Sequence, residues 1–379
     1  MKRIVILFIF TLIVIGSISA QMTVSGILDS TVYMVAATED NPFFDDPFSC
    51  SIEEFANIRF QTSLRSGGTF FGAVNLIAAA GNYINDSNKE SFVIGENYSA
   101  GFEIERLYFQ LNGEHIDFDA GLMRLPFGMG NVWGPSDFLN PKNPLKPDAR
   151  PRGILGGSLS WFADNNLKLL GFFAAPRQPF DNDGWLTGIS ASHRLGKVNA
   201  QILYSYEMPK FESEYGIHRA GLSLKADVEV SIVMDMLYTY NHEAKTDISG
   251  LSFSIGADYS FFDGNLIVLA DYLYNGKTSS TAWEYGGSFS NNHYLYTGFT
   301  WLFSDFTNIN IALISGFDDI SFTPFFSLSH ELFQGAMLTI TAQIPMDRDL
   351  FSGDGNKGEF GPSRTYNYFS CSARLRLRF

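Results

Sequence analysis

The last fourteen residues, Tyr366-Asn367-Tyr368-Phe369-Ser370-Cys371-Ser372-Ala373-Arg374-Leu375-Arg376-Leu377-Arg378-Phe379, separate into two faces when read alternately. Phe369, Cys371, Ala373, Leu375, Leu377 and Phe379 make an apolar face, and Ser370, Ser372, Arg374, Arg376 and Arg378 a polar one. A period of two is a strand. An apolar face that runs to the final residue, backed by guanidiniums, suits a wall between lipid and water. An arginine turned toward lipid costs about 2–4 kcal/mol at the bilayer midplane and about 0–1 kcal/mol near its surface, so Arg374, the deepest of the three, points to a wet interior. One such strand also fits the edge of a soluble sandwich; the rest of the chain decides.

Working back through the chain, about eighteen strand-like segments begin near Met22, Ile52, Thr69, Glu103, Ile116, Ile154, Leu167, Trp185, Val198, Ile217, Val228, Leu251, Asn265, His293, Thr307, Ser321, Ala336 and Tyr366. Their length suits tilted strands that cross a bilayer. Leu251, Phe253, Ile255, Ala257, Tyr259 and Phe261 oppose Ser252, Ser254, Gly256, Asp258 and Ser260, whereas Leu266 to Tyr274 is apolar on both faces and takes no orientation. The connections alternate. Short ones such as Ser66-Gly67-Gly68, Gly196-Lys197 and Phe262-Asp263-Gly264 interleave with long ones such as Thr38–Ser51, Leu125–Gly153 and Met346–Thr365. That parity predicts an all-β transmembrane antiparallel β-barrel of about 18 strands, with 16 the alternative count, short periplasmic turns and longer outer loops. The pairs Trp161-Phe162, Phe172-Phe173, Phe261-Phe262 and Phe325-Phe326 fall near strand ends and suit aromatic girdles.

At the front, Lys2 and Arg3 precede an apolar run from Ile4 to Ile15 and small residues before Gln21, so residues 1–20 read as a secretory signal and 21–379 as one barrel domain in the cell outer membrane. Aromatics make up 15% of the chain, yet no run of eighteen strongly apolar residues offers a spanning helix. A net charge of −14 argues against nucleic acid. Cys50 reads as part of an outer loop and Cys371 as lipid-facing, so both are expected to be free thiols. Asp45, Asp46, Asp318, Asp319, Asp347, Asp349 and Asp354 match no calcium-loop spacing and read as solvated carboxylates; neither metal nor cofactor is expected.

The ending resembles the closing strand of Gram-negative outer-membrane β-barrels, which finish on an aromatic with hydrophobic residues at every second position before it; here these are Leu375, Leu377 and Phe379. The resemblance implies that the barrel-assembly machinery reads this strand, and that outer-membrane lipid surrounds the folded chain.

The longest connection, Leu125 to Gly153, holds Pro126-Phe127-Gly128-Met129-Gly130-Asn131-Val132-Trp133-Gly134-Pro135-Ser136-Asp137-Phe138-Leu139-Asn140-Pro141. Gly, Pro and Asn at this density specify a folded irregular loop. It is the third outer loop and is similar to loops of porin-like and alginate-export-type barrels; in general-diffusion porins the third loop folds inward and narrows the pore. From Arg124 to Arg152 the cations Arg124, Lys142, Lys146, Arg150 and Arg152 outnumber Asp137 and Asp148, a net +3 in a negative protein. Inside a lumen these groups could bind carboxylates or phosphates, and Phe127, Trp133 and Phe138 could stack on sugars. The competing reading pairs the same cations with carboxylates and leaves them to fix the loop. Arg59, Arg65, Arg106, Arg374 and Arg376 are expected on the lumen wall or its rim.

The reading that follows is a porin allowing passive diffusion of small polar solutes, selective for anions or sugars, with oligomers open as an arrangement. A non-conducting adhesive barrel is the alternative. An outer-membrane hydrolase is disfavoured, because His115, His193, His218, His242, His293 and His330 lie in separate segments without a matching nucleophile motif.

Overall fold

The structure, a computed structural model, describes residues 21–38, 47–64, 67–82, 93–95, 97–141, 143–145, 153–175, 184–209, 215–241, 250–276, 291–353, 357–365 and 367–379. The signal segment and Arg65, Lys142, Lys146, Arg150 and Arg152 lie outside the described residues. The strands are β1 (Gln21–Ala37), β2 (Phe48–Ser63), β3 (Gly68–Gly81), β4 (Val93–Ile94), β5 (Tyr98–Asn112), β6 (Ile116–Met123), β7 (Ile154–Phe162), β8 (Leu167–Ala174), β9 (Leu186–Leu195), β10 (Val198–Glu207), β11 (Ile217–Asp227), β12 (Ser231–Asn241), β13 (Leu251–Phe261), β14 (Leu266–Asn275), β15 (His293–Ser304), β16 (Thr307–Gly316), β17 (Ser321–Phe333), β18 (Ala336–Gln343) and β19 (Asn367–Arg378). All but the two-residue β4 are long enough to span.

Each spanning strand pairs antiparallel with the next, and β19 returns to β1. The seam runs from Ile27 opposite Arg378 to Ala37 opposite Asn367, and Gly26 and Phe379 exchange backbone hydrogen bonds of 2.8 and 3.1 Å at its end. Closure of eighteen strands removes every sheet edge, which hydrocarbon demands because it cannot satisfy a free N–H or C=O. Guanidinium Nε and Nη2 of Arg376 donate to Asp29 across the seam at 2.7 and 2.6 Å. Arg376→Ala should therefore lower stability by about 1–3 kcal/mol, the cost of an orphaned buried acceptor, read as a lower urea midpoint for unfolding.

Alternation turns the barrel inside out relative to a soluble protein. Asn57, Ser205 and Asp235 are fully buried on the inner face, while Ile189 and Ile202 on the outer face are 65% and 59% exposed. A sheet with that polarity is a transmembrane wall. Girdles mark both ends. At the short-turn end Trp161, Phe261, Phe262, Trp301, Phe303, Phe306 and Phe333 are exposed. At the long-loop end, Tyr204 Oη lies 2.8 Å from His218 Nδ1, and Tyr272 Oη lies 2.7 Å from His293 Nδ1.

Some expectations need correction. Phe172 and Phe325 point inward, because of two adjacent strand residues only one can face out. Cys50 lies within β2, and it shares with Cys371 the outward-facing neighbour Met34 on β1. Both cysteines are free. Two strand spacings separate them, beyond disulfide reach.

Candidate functional site

The chain leaves the wall after Met123 and turns inward. Pro126 has no N–H for a ladder, and Gly128 holds a φ of 76°, open to glycine but strained for other residues. A Cβ at Gly128 would also collide with the Asp235 carboxylate. The segment then closes on itself. Leu125 N donates to Asn140 Oδ1 at 2.9 Å, and Phe127 N to Asp137 Oδ1 at 3.1 Å.

From there it is bonded to inward-facing side chains of the wall. Gly128 N donates to Gln201 Oε1 at 2.8 Å, and Asn131 Nδ2 to Asp258 Oδ2 at 3.3 Å. Asp271 Oδ2 accepts both Val132 N and Trp133 N, at 3.1 and 3.3 Å. Asp235 Oδ1 accepts the hydroxyls of Ser136 and Ser223 at 2.5 and 2.7 Å. Ser254 Oγ donates to Trp133 O at 3.1 Å. Three carboxylates on β12, β13 and β14 thus stand in for the partners that loop donors would find in water.

Apolar contacts complete the attachment. Phe127 lies 4.8 Å from Phe172 and 6.3 Å from Phe138, in a cluster with Leu186, Leu203 and Leu237. Trp133 is fully buried against Leu273, Tyr294, Ile314 and Phe360. Inward-facing Leu203, Leu237 and Leu273 would be costly in a wet lumen, and the loop covers them. This explains why Leu266 to Tyr274 reads as apolar on both faces: Leu273 is where the loop lies. The same contacts alter the reading of three site residues. Phe127, Trp133 and Phe138 are 3%, 0% and 5% exposed, so their ring faces are taken by protein and not free to stack on a sugar.

A second segment meets the first. Between β18 and β19, Phe360 packs 6.0 Å from Tyr294, whose other neighbour is Trp133 at 5.8 Å. Glu359 Oε2 accepts Tyr294 Oη at 2.8 Å and Asn291 Nδ2 at 2.7 Å. Acidic residues read as solvated are tied to backbone here. Asp347 caps the short helix Arg348–Ser352 and also accepts Gly358 N; Asp319 accepts Glu359 N, and Asp318 accepts Asn292 N. Among the described residues no cluster of His, Cys, Asp and Glu is arranged to hold a metal ion.

Counting around eighteen strands, the wall opposite β12–β14 is β2, β3 and β5. There Glu105, 3% exposed, accepts Arg124 at 3.1 Å, Arg106 at 3.4 Å and Asn57 Nδ2 at 2.9 Å. Arg59 Nε donates to Asn57 Oδ1 at 2.7 Å. A bulge in β5, where the register with β3 slips between Ala73 and Val74, lets neighbouring Glu105 and Arg106 both turn inward. Arg374 shares the inward face of β19 with Arg376, and Asp137 is 8% exposed inside the loop. Asp235, Asp258, Asp271 and Glu105 escaped the sequence reading; the signals were Asp258 on a face made otherwise of serines and glycine, and Asp235 and Asp271 as lone carboxylates beside inward-facing Val233, Leu237, Leu269 and Leu273.

No protein-family model and no curated protein matches this chain. Solved structures do. OccAB3 of Acinetobacter baumannii gives a TM-score of 0.58 at 10% identity, covering 95% of this chain and 99% of that one. A BenF-like porin from Pseudomonas fluorescens Pf-5 gives 0.61 at 9%, covering 96% and 99%. OccK7 (OpdD) of Pseudomonas aeruginosa gives 0.58 at 11%, covering 95% and 99%. The chain has the fold of an 18-stranded porin-like β-barrel.

Proposed function

We propose that the protein is an outer-membrane channel for passive diffusion of small polar solutes, in which the segment from Leu125 to Leu145 narrows the lumen. One observation carries this: the segment is hydrogen-bonded and packed on inward-facing residues of β10–β14, inside a barrel wide enough to leave an aqueous path. Anion preference over cations is part of the proposal, through the net positive charge of the sequence from Arg124 to Arg152 together with Arg59 and Arg106 on the wall. Carboxylates outnumber cations on the inward faces of the described strands, so the wall alone would not favour anions. Sugar selectivity is not retained, since its three stacking rings are covered. No catalysis is proposed: His193, His218, His293 and His330 occupy outward-facing strand positions.

The test is the reversal potential across a salt gradient in a planar bilayer. Wild-type protein should favour anions, and joint replacement of Arg124, Arg150 and Arg152 by Ala should shift the reversal potential toward cations. Unchanged potentials would contradict the charge assignment while leaving the channel itself standing. A second reading, a plugged and non-conducting barrel, draws on the Trp133–Tyr294–Phe360 contact that joins two segments. It predicts no current from folded protein.

A further inference from the structure

The outward face of the barrel carries one anomaly. Strand registers, with burial and hydrogen bonds placing Glu105 at the β5 bulge inside, show that among the described strand residues Glu54 is the one Asp, Glu, Lys or Arg on the outer face. Its depth is set by its own strand: Phe48 and Phe60 lie on the same face six residues to either side. At about 3.3 Å per residue and a tilt near 40°, each lies about 15 Å away along the membrane normal, so Glu54 sits near mid-bilayer.

The row that crosses the sheet through Glu54 is made of small residues. Ser30 Oγ donates to Glu54 Oε1 at 2.6 Å from the facing position on β1. On the other side the same row continues through Ala78 to Ala100, and Ala56 is the next outward residue along β2. Leu28, Ile52, Leu76 and Leu375 border this row, and along the row itself Ser30, Ala78 and Ala100 leave a neighbouring wall room to approach the backbone.

Hydrocarbon offers a carboxyl nothing, and a water-soluble partner cannot reach this depth. The group that covers Glu54 must come from another membrane-spanning protein carrying a hydrogen-bonding side chain at the same height. A two-fold axis along the membrane normal preserves height, so a second copy brings its own Glu54 and Ser30 there. We infer that this face, centred on Glu54 with Ser30, Ala56 and Ala78, is the contact of a two-fold homodimer within the membrane. The two carboxyl groups and two Ser30 hydroxyls bond to one another across the axis, and the alanines let the two sheets close over them. The inference rests on membrane embedding but not on conduction.

The test is disulfide trapping in membranes holding the full-length protein, with Cys50 and Cys371 replaced by Ser. Ala56→Cys should give a crosslinked dimer, and Ile255→Cys, on the outer face of β13 across the barrel, should give none. Adding Glu54→Leu should lower the Ala56→Cys dimer about tenfold, equivalent to about 1.4 kcal/mol, and Glu54→Gln should retain it. Heat-modifiable migration on gels shows that each variant has folded. Folded protein without crosslink at position 56, equal crosslinking at 255, a dimer indifferent to Glu54→Leu, or a crosslink to a different protein would each overturn the inference.

Discussion

Joint replacement of Asp235 and Asp271 by Ala is expected to raise single-channel conductance and make the current noisier, because these two carboxylates hold the segment against the wall. Asp271 accepts two backbone N–H groups, from Val132 and Trp133; Asp235 accepts the hydroxyls of Ser136 and Ser223. Each donor left buried and unpaired costs about 1–3 kcal/mol, so losing both acceptors removes several kcal/mol. The barrel itself keeps its ladders and should run as a folded band. Each variant alone should give an intermediate result. Conductance identical to wild type in the double variant would mean that the segment's place in the lumen does not depend on these bonds.

Trp133→Ala should be the most destabilising single change in the segment, at about 3–5 kcal/mol for truncation of a buried aromatic. Trp133 is fully buried, and its removal opens a void bounded by Leu273, Tyr294, Ile314 and Phe360. Trp133→Phe keeps most of the packing and should lose much less. Protease protection reads the effect directly: added from the loop side, a protease should cut the Ala variant between Leu125 and Leu145 while wild type resists. Equal resistance would show that the hydrogen bonds alone fix the segment.

The wall was legible in the sequence because a barrel strand writes its two environments onto alternate residues. Ser252, Ser254 and Asp258 against Phe253, Ile255 and Tyr259 is as clear a statement of inside and outside as β13 needs. Strand starts were harder where that contrast fades. β2 begins at Phe48, four residues before its sequence estimate, because Ser49 and Ser51 are inward-facing positions of a strand and resemble a polar loop. β4 is too short to carry a period. Alternation also fails at a bulge, so it does not anticipate Glu105 and Arg106 turning inward together.

What the segment touches was not legible, for a different reason. A phenylalanine or tryptophan among Gly and Pro reads equally as a platform for a ligand or as a wedge into the protein. The difference lies in residues far away in the chain: Phe172, Leu203 and Leu237 for Phe127, and Leu273, Tyr294 and Phe360 for Trp133. Apolar residues on the inward face of β10, β12 and β14 are the trace such wedges leave. In retrospect the double-faced apolar run from Leu266 to Tyr274 was the place to look.

The account rests on a lumen that is narrowed yet open. The most direct measurement is single-channel recording of the refolded protein in a planar bilayer, with uncharged polymers of graded size on the loop side. The account predicts stable, reproducible steps, blocked or excluded by polymers smaller than an unobstructed eighteen-stranded lumen would admit. Folded, membrane-inserted protein that gives no current under any gradient would contradict it and leave a barrel closed by its own loops.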